Sequence, residues 1–224
     1  MPHDSALTQL EFRLQPDAAT IRPGGRTARV AKDVRDATLA ELNEHGYAGL
    51  TVENVAERSG VHKTTIYRRW GGVDGLIVNA LDLASQDDWG PPDTGTLEGD
   101  LTGLVHEVLE LFTDPVEGIA PAAFIAATYH SERAAEAMTS LYVDRHARAA
   151  VAVTRAIERG EIPADTDPGA VVRAAVAPLY YRLFITREPI DRQIADQAVA
   201  AALAATMAGV FAQSPKSARS SRKR

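Results

Sequence analysis

The chain has 224 residues, 45% hydrophobic and 24% charged, which is enough to bury one or two cores. It has no cysteine, so disulfides, thiolate metal sites and a cysteine nucleophile are excluded. The net charge of −6 is unevenly spread: residues 22–70 carry nine Lys/Arg against six Asp/Glu, residues 71–212 carry nine against 21, and the last 12 residues add five positive charges. An acidic body repels polyanions, so any contact with nucleic acid falls to the N-terminal part.

Residues 1–25 are mixed polar, with Pro16, Pro23, Gly24 and Gly25, and are expected to form a flexible arm. They lack the apolar run of a signal peptide, which makes the cytoplasm the default compartment. From Val30 the pattern turns helical, with Val30, Val34, Ala37 and Thr38 on one face. Gly46 is expected to end this helix. Thr51 can cap a second helix over 52–59, whose apolar face is Val52, Val55 and Ala56. Ser59-Gly60 breaks it, and a third helix is predicted from His62 to Trp70, closed by Gly71-Gly72. Two short helices joined by a tight, glycine-containing turn make a helix-turn-helix pattern.

Further helices are predicted over 73–88, 97–113, 120–130, 132–159, 168–186 and 191–212, with Asp167 and Asp191 as caps and Pro168 in a first turn. No useful length of chain alternates with period two. The expected fold is therefore all-α. A three-helix DNA-binding domain (26–72) precedes a helical ligand-binding and dimerisation domain (73–212) and a disordered basic tail (213–224). Residues 197–215 carry no charge, but the run is mostly alanine and shorter than a bilayer needs, so it fits a buried interface helix better than a membrane anchor.

In the third helix, Ile66 and Trp70 fall four apart and should pack inward. Lys63, Thr64, Tyr67 and Arg68 then face outward, with Thr65 and Arg69 at the edges. An α-helix fits the major groove of duplex DNA, and the N-terminal residues of such a helix come nearest the bases. Lys63 can donate to guanine O6 and N7, and a threonine methyl can meet a thymine methyl. Tyr67 and Arg69 suit phosphate oxygens, which set register rather than sequence.

The run "ATLAELNEHGYAGLTVENVAERSGVHKTTIYRRW", followed by "VDGLIVNAL", resembles the DNA-binding domain of TetR-family transcriptional regulators. The shared features are a first helix ending in Gly-Tyr, a Leu-Thr opening the second, Gly-Val in the turn, and Thr-Ile-Tyr-x-x-Trp in the third. The resemblance implies DNA contacts by Lys63, Thr64, Thr65, Tyr67 and Arg69, and a phosphate contact near Thr51. One position departs. The family usually has a phosphate-binding lysine at the start of its fourth helix, where this chain has Val73, followed by Asp74. Arg22, Arg26 and Arg29 precede or open the first helix and could reach a minor groove. The basic tail has a weaker claim to DNA.

A helix-turn-helix monomer covers only one half-site, so a dimer on a palindromic operator is expected. "GAVVRAAVAPLYYRLFI" and "DQAVAAALAATMAGVF", the last two helices, are long and rich in small apolar residues, and the resemblance assigns them the homodimer interface. The resemblance also places a small-molecule pocket among the middle helices. Its candidate residues are Trp89, Phe112, Phe124, Tyr129, His130, Tyr142 and His146, and the acidic body leans towards a neutral or cationic effector. The expected function is a repressor released by that effector, the alternative being a constitutive regulator without one. An enzyme is disfavoured. "HEVLE" lacks the second histidine of a zinc-protease helix, and there is no phosphate loop or nucleophile elbow. No catalytic residue, metal or cofactor is expected.

Overall fold

The computed structural model describes residues 25–84, 88–114 and 119–213, which fold as nine α-helices and one π-helical turn. The expected arm and nearly all of the basic tail lie outside the described residues. So does the side chain of Arg26. The helices are α1 (Arg26–Gly49), α2 (Val52–Ser59), α3 (Lys63–Trp70), α4 (Val73–Ala84), α5 (Leu97–Thr113), α6 (Ile119–Thr128), α7 (Glu132–Glu158), α8 (Pro168–Tyr180) and α9 (Arg192–Met207).

Local chemistry explains most boundaries. The hydroxyl of Thr51 accepts a hydrogen bond from the Asn54 amide at the start of α2, and Asp167 and Asp191 do the same for Ala170 and Ile194. Thr96 and Ser131 cap α5 and α7 in the same way, two caps that the apolar spacing alone does not mark. Gly46 breaks α1 with φ of 65°, and the chain makes one more turn before α2. Gly60 takes the left-handed conformation between α2 and α3 (φ 67°), where a side chain would be strained.

Two ends differ from expectation, and the end of a third helix falls largely outside the described residues. Helix α9 stops at Met207 rather than 212. The residues that follow turn back onto the α7–α8 loop, where the Asp167 amide donates to the Phe211 carbonyl and the Gln213 amide to Asp165. Helix α8 does not run regularly to 186. Pro178 lies inside it with no amide hydrogen to give, and the backbone widens into the π turn Tyr181–Thr186. Helix α4 is described only to Ala84.

Two apolar cores organise the helices. The first gathers Val34, Leu42, Val55, Ile66, Leu76, Ile77 and Leu81 from α1–α4 with Phe124, Ala127 and Ala134 from α6 and the start of α7. The second joins Leu97, Leu101 and Val105 of α5 with Val153, Val171, Leu179, Ala198 and Val199 of α7, α8 and α9. Helix α7, 27 residues or about 40 Å long, supplies buried residues to both. The N-terminal helices therefore rest on α6 through α1.

Candidate nucleic-acid interface and ligand cavity

Helix α3 is held from behind. Ile66 is fully buried among α1, α2 and α4, and the Thr65 and Ile66 amides both bond the His62 carbonyl, which opens the helix. Trp70 is only half-buried, less than expected, and packs at the edge of the same core. Lys63, Thr64, Tyr67, Arg68 and Arg69 are all exposed, and Thr65 is intermediate. The Arg69 guanidinium lies 4.5 Å over the Trp70 ring, which fixes its direction without consuming its hydrogen-bond donors. Thr51, at the N-terminus of α2, is partly exposed, so a helix end with spare amides is open to solvent. Val73 is half-buried and Asp74 exposed, so the departure at the start of α4 is also present in three dimensions.

Charge adds to the apolar anchoring of α2 by Val52 and Val55. Arg58 donates to buried Glu41 at 2.6 Å and, through both terminal nitrogens, to Glu44 at 2.8 and 2.6 Å. The bond from Arg58 holds the Glu44 carboxyl below its ordinary range. Both acids lie on α1, so this bridge locks α1 to the first helix of the DNA-binding motif. Glu41, Glu44 and His45 together could in principle ligate a metal, but Arg58 already takes both carboxylates.

A cavity of about 1140 Å³ lies between the two cores. Its wall includes Leu39 and Asn43 of α1, Leu81 and Ala84 of α4, Leu104 and Val108 of α5, Phe124 of α6, Met138 and Leu141 of α7, and Val172 and Val176 of α8. That volume suits a drug-sized ligand, and the wall is mainly apolar with a few polar groups, as ligand pockets usually are.

Five of the seven residues expected to bind ligand line this cavity: Trp89, Phe112, Phe124, Tyr142 and His146. The other two do not. Tyr129 is 82% exposed in the turn after α6. His130 is exposed and stacks on Tyr47 of α1, with ring centroids 5.3 Å apart. That stack joins the end of α1 to the α6–α7 turn, so it braces the two parts of the chain.

An aromatic cluster backs two of the wall residues, Phe112 and Tyr142. Phe112 meets Tyr180 and Phe184 edge-on at 5.1 and 5.4 Å, and the π turn is what brings Phe184 there. Tyr142 hydrogen-bonds Tyr180, and burial pushes both phenols up, so both stay protonated. His146 lies 5.8 Å from the Tyr142 ring, and burial, assisted by nearby Arg173, lowers its pKa. The imidazole is therefore neutral at pH 7 and can both donate and accept.

The sign of the pH effect follows. Unfolded histidine titrates near pH 6.5, and the folded value lies lower, so folding releases a proton between the two. The contribution is complete above about pH 6.5 and is lost as pH falls through the folded value. A His146→Gln protein should show a flatter loss of stability as pH falls below about 6.5, measured by denaturant midpoints.

Arginines on α7 grip the linker that runs from α4 to α5. Arg145 donates to the Ala84 carbonyl at 3.1 Å, Arg148 to the Trp89 carbonyl at 3.0 Å, and Arg155 to the Pro92 carbonyl. Trp89 is held through its ring as well, with Arg145 and Arg148 at 5.2 and 5.8 Å, and its indole nitrogen donates to Glu107 at 2.7 Å. Arg145 is not among the residues expected at the site. The available signal is its position, three residues from Tyr142 and next to His146 on one helix.

An exposed, basic second helix of a helix-turn-helix, set on a helical body that encloses a cavity, is the arrangement of a DNA-binding regulator. Comparison with known proteins gives the same result. Residues 34–80 match the family described as bacterial regulatory proteins, tetR family, and residues 91–202 match the tetracyclin repressor-like C-terminal domain. The chain belongs to the TetR family of transcriptional regulators and is not an enzyme.

It is 30% identical over 157 residues to the HTH-type transcriptional regulator AqdR of Rhodococcus erythropolis, covering 70% of this chain and 75% of that one. It is 32% identical over 151 residues to the DNA-binding transcriptional repressor TetR of Mycobacteroides abscessus, covering 65% and 77% respectively. A crystal structure of a TetR-family transcription regulator superposes with a TM-score of 0.63 at 32% identity, covering 79% of this chain and 97% of that one. No helix among the described residues is long and apolar enough to cross a membrane.

Proposed function

We propose that this chain is a ligand-released repressor that binds a palindromic operator as a homodimer. The observation that carries the reading is the shared cavity wall. Leu39, Asn43 and Glu44 of α1 and Leu81 and Ala84 of α4 face the same space as α5, α7 and α8. Any occupant thus touches the elements that carry α3. Glu44 is both a wall residue and an anchor of Arg58, so a displacement there passes through α2 to α3. Two recognition helices set at a fixed spacing on DNA are sensitive to small rotations of this kind. Ligand and DNA then disfavour each other by a typical 1–3 kcal/mol, about 5- to 150-fold in operator affinity.

The residues proposed to meet DNA are Lys63, Thr64, Thr65, Tyr67, Arg68 and Arg69, with Thr51 on a phosphate. The dimer contact is proposed on α8 and α9. Their outer faces expose Ala177, Pro178, Tyr181 and Ile185 on one side and Ala200, Ala201, Ala204 and Met207 on the other. Tyr181, Ile185 and Met207 are each more than half exposed, an apolar surface that a second copy would cover.

Fluorescence anisotropy on DNA flanking the protein's own gene tests the reading. Two chains should bind per operator, and compounds that quench Trp89 saturably should release the complex. A compound that saturates the cavity yet leaves operator affinity unchanged would show that sensing and DNA binding are not coupled.

A further inference from the structure

The cavity wall carries charges of both signs, and each is already engaged. Arg35 donates to Asp36 at 2.9 and 2.6 Å, Arg58 takes Glu44, and Glu107 accepts the Trp89 indole at 2.7 Å. Arg145 is occupied at the Ala84 carbonyl and over the Trp89 ring. A charged ligand must break into one of these arrangements. It also meets like charges on the same wall, Asp36, Glu44 and Glu107 for an anion, Arg35 and Arg145 for a cation.

His146 is different. It lines the cavity from α7, half-buried, and its ring nitrogens have no hydrogen-bond partner among the described residues. Its neighbours are the Tyr142 ring, tilted 5.8 Å away, and the charge of Arg173 on α8. Tyr142 has Tyr180 as its own hydrogen-bond partner. The same wall carries the rings of Phe112 and Phe124, with Leu104 and Met138 between polar groups that are already taken.

Resting on the sensing role proposed above, we infer that the effector is an uncharged aromatic compound with a hydroxyl group, which His146 hydrogen-bonds while the rings pack among Phe112, Phe124 and Tyr142. Flat rings gain from edge-on and offset contacts with aromatic side chains beyond the area they bury. An occupant drives water from the wall, and an imidazole left without a partner then opposes binding. A hydroxyl removes that cost whichever tautomer is present, because it can donate to the bare ring nitrogen or accept from the protonated one. Burial lowers the His146 pKa, so the ring offers one donor and one acceptor at neutral pH and adds no charge of its own.

Displacement of a fluorescent reporter from the full chain at neutral pH tests the inference. N-Phenyl-1-naphthylamine, which is uncharged, serves as reporter, and naphthalene, 2-naphthol and 2-naphthoate compete with it. The three competitors share one ring system and differ in a single substituent: none, hydroxyl or carboxylate. Naphthalene is the most apolar, so a cavity that merely dissolves hydrocarbon prefers it. On the wild-type protein 2-naphthol should instead displace the reporter at a concentration at least about threefold lower than naphthalene, and lower than 2-naphthoate. His146→Phe should erase the advantage of 2-naphthol and change the concentration of naphthalene required by less than about twofold. His146→Gln, whose amide both donates and accepts, should keep part of the advantage.

Naphthalene acting as well as 2-naphthol on the wild type overturns the hydroxyl assignment, and 2-naphthoate acting best overturns the uncharged one. Either result leaves the sensing role standing. Equal weakening of all three competitors by His146→Phe assigns that side chain to packing and overturns its role at the ligand. Failure of the reporter to bind at all removes the cavity reading on which the inference rests. The wild-type ranking needs no variant, so the inference stays open to refutation if the phenylalanine protein does not fold.

Discussion

Replacing Ile66 with alanine should lower the stability of the DNA-binding part by about 2–5 kcal/mol, the usual cost of emptying a fully buried isoleucine site. The side chain has no exposed surface and lies at the meeting point of α1, α2, α3 and α4. Helix α3 has eight residues, too few to be stable without such an anchor. The loss should therefore appear twice, as a lower denaturation midpoint and as weaker binding to every DNA sequence. Trp70, packed on the same core four residues on, supplies the fluorescence signal. A midpoint unchanged within about 0.5 kcal/mol would mean that α3 is held by some other anchor.

Lys63→Ala should cost about 1–3 kcal/mol per half-site, and twice that over a two-fold operator, if its ammonium reads a guanine. The signature is selectivity: affinity falls for the operator, and discrimination at one base pair in each half-site relaxes. Arg69→Ala should behave differently. Its guanidinium, steered by the Trp70 ring, is expected on a phosphate, so the variant should bind all sequences less tightly. Its salt dependence should flatten by about 0.9 in log–log slope for each phosphate that the variant no longer neutralises. Parallel titrations at several salt concentrations separate the two patterns. Identical behaviour of wild type and both variants would remove α3 from the DNA.

Much of the fold, and which side chains of α3 face outward, is legible in the sequence because it rests on short-range chemistry. Thr51, Asp167 and Asp191 stand where a helix must begin, Gly46 and Gly60 where the backbone must turn left, and the spacing of Ile66 and Trp70 fixes which way α3 faces. These signals span a few residues and need no knowledge of the rest of the chain. The cavity is another matter. Arg145 and Ala84 are 61 positions apart, and Arg155 and Pro92 are 63, so nothing local announces either bond. Tyr129 and His130 illustrate the converse error. Their composition resembles a binding pair, yet the chain reverses immediately after α6 and carries both outward. The participation of α1 in the cavity wall is equally hidden, because Leu39 and Asn43 fall outside the Val34 and Ala37 face that identifies the helix.

The first core has a consequence for how such proteins can be recombined. Phe124 and Ala127 of α6 and Ala134 of α7 pack against the same side chains as α1 and α4. A chimera that grafts residues 26–84 onto a foreign body therefore inherits a raw hydrophobic patch wherever the recipient's α6 does not match it. Swapping α6 along with the head, and keeping the Tyr47–His130 stack intact, is the seam along which this molecule can be cut and rejoined.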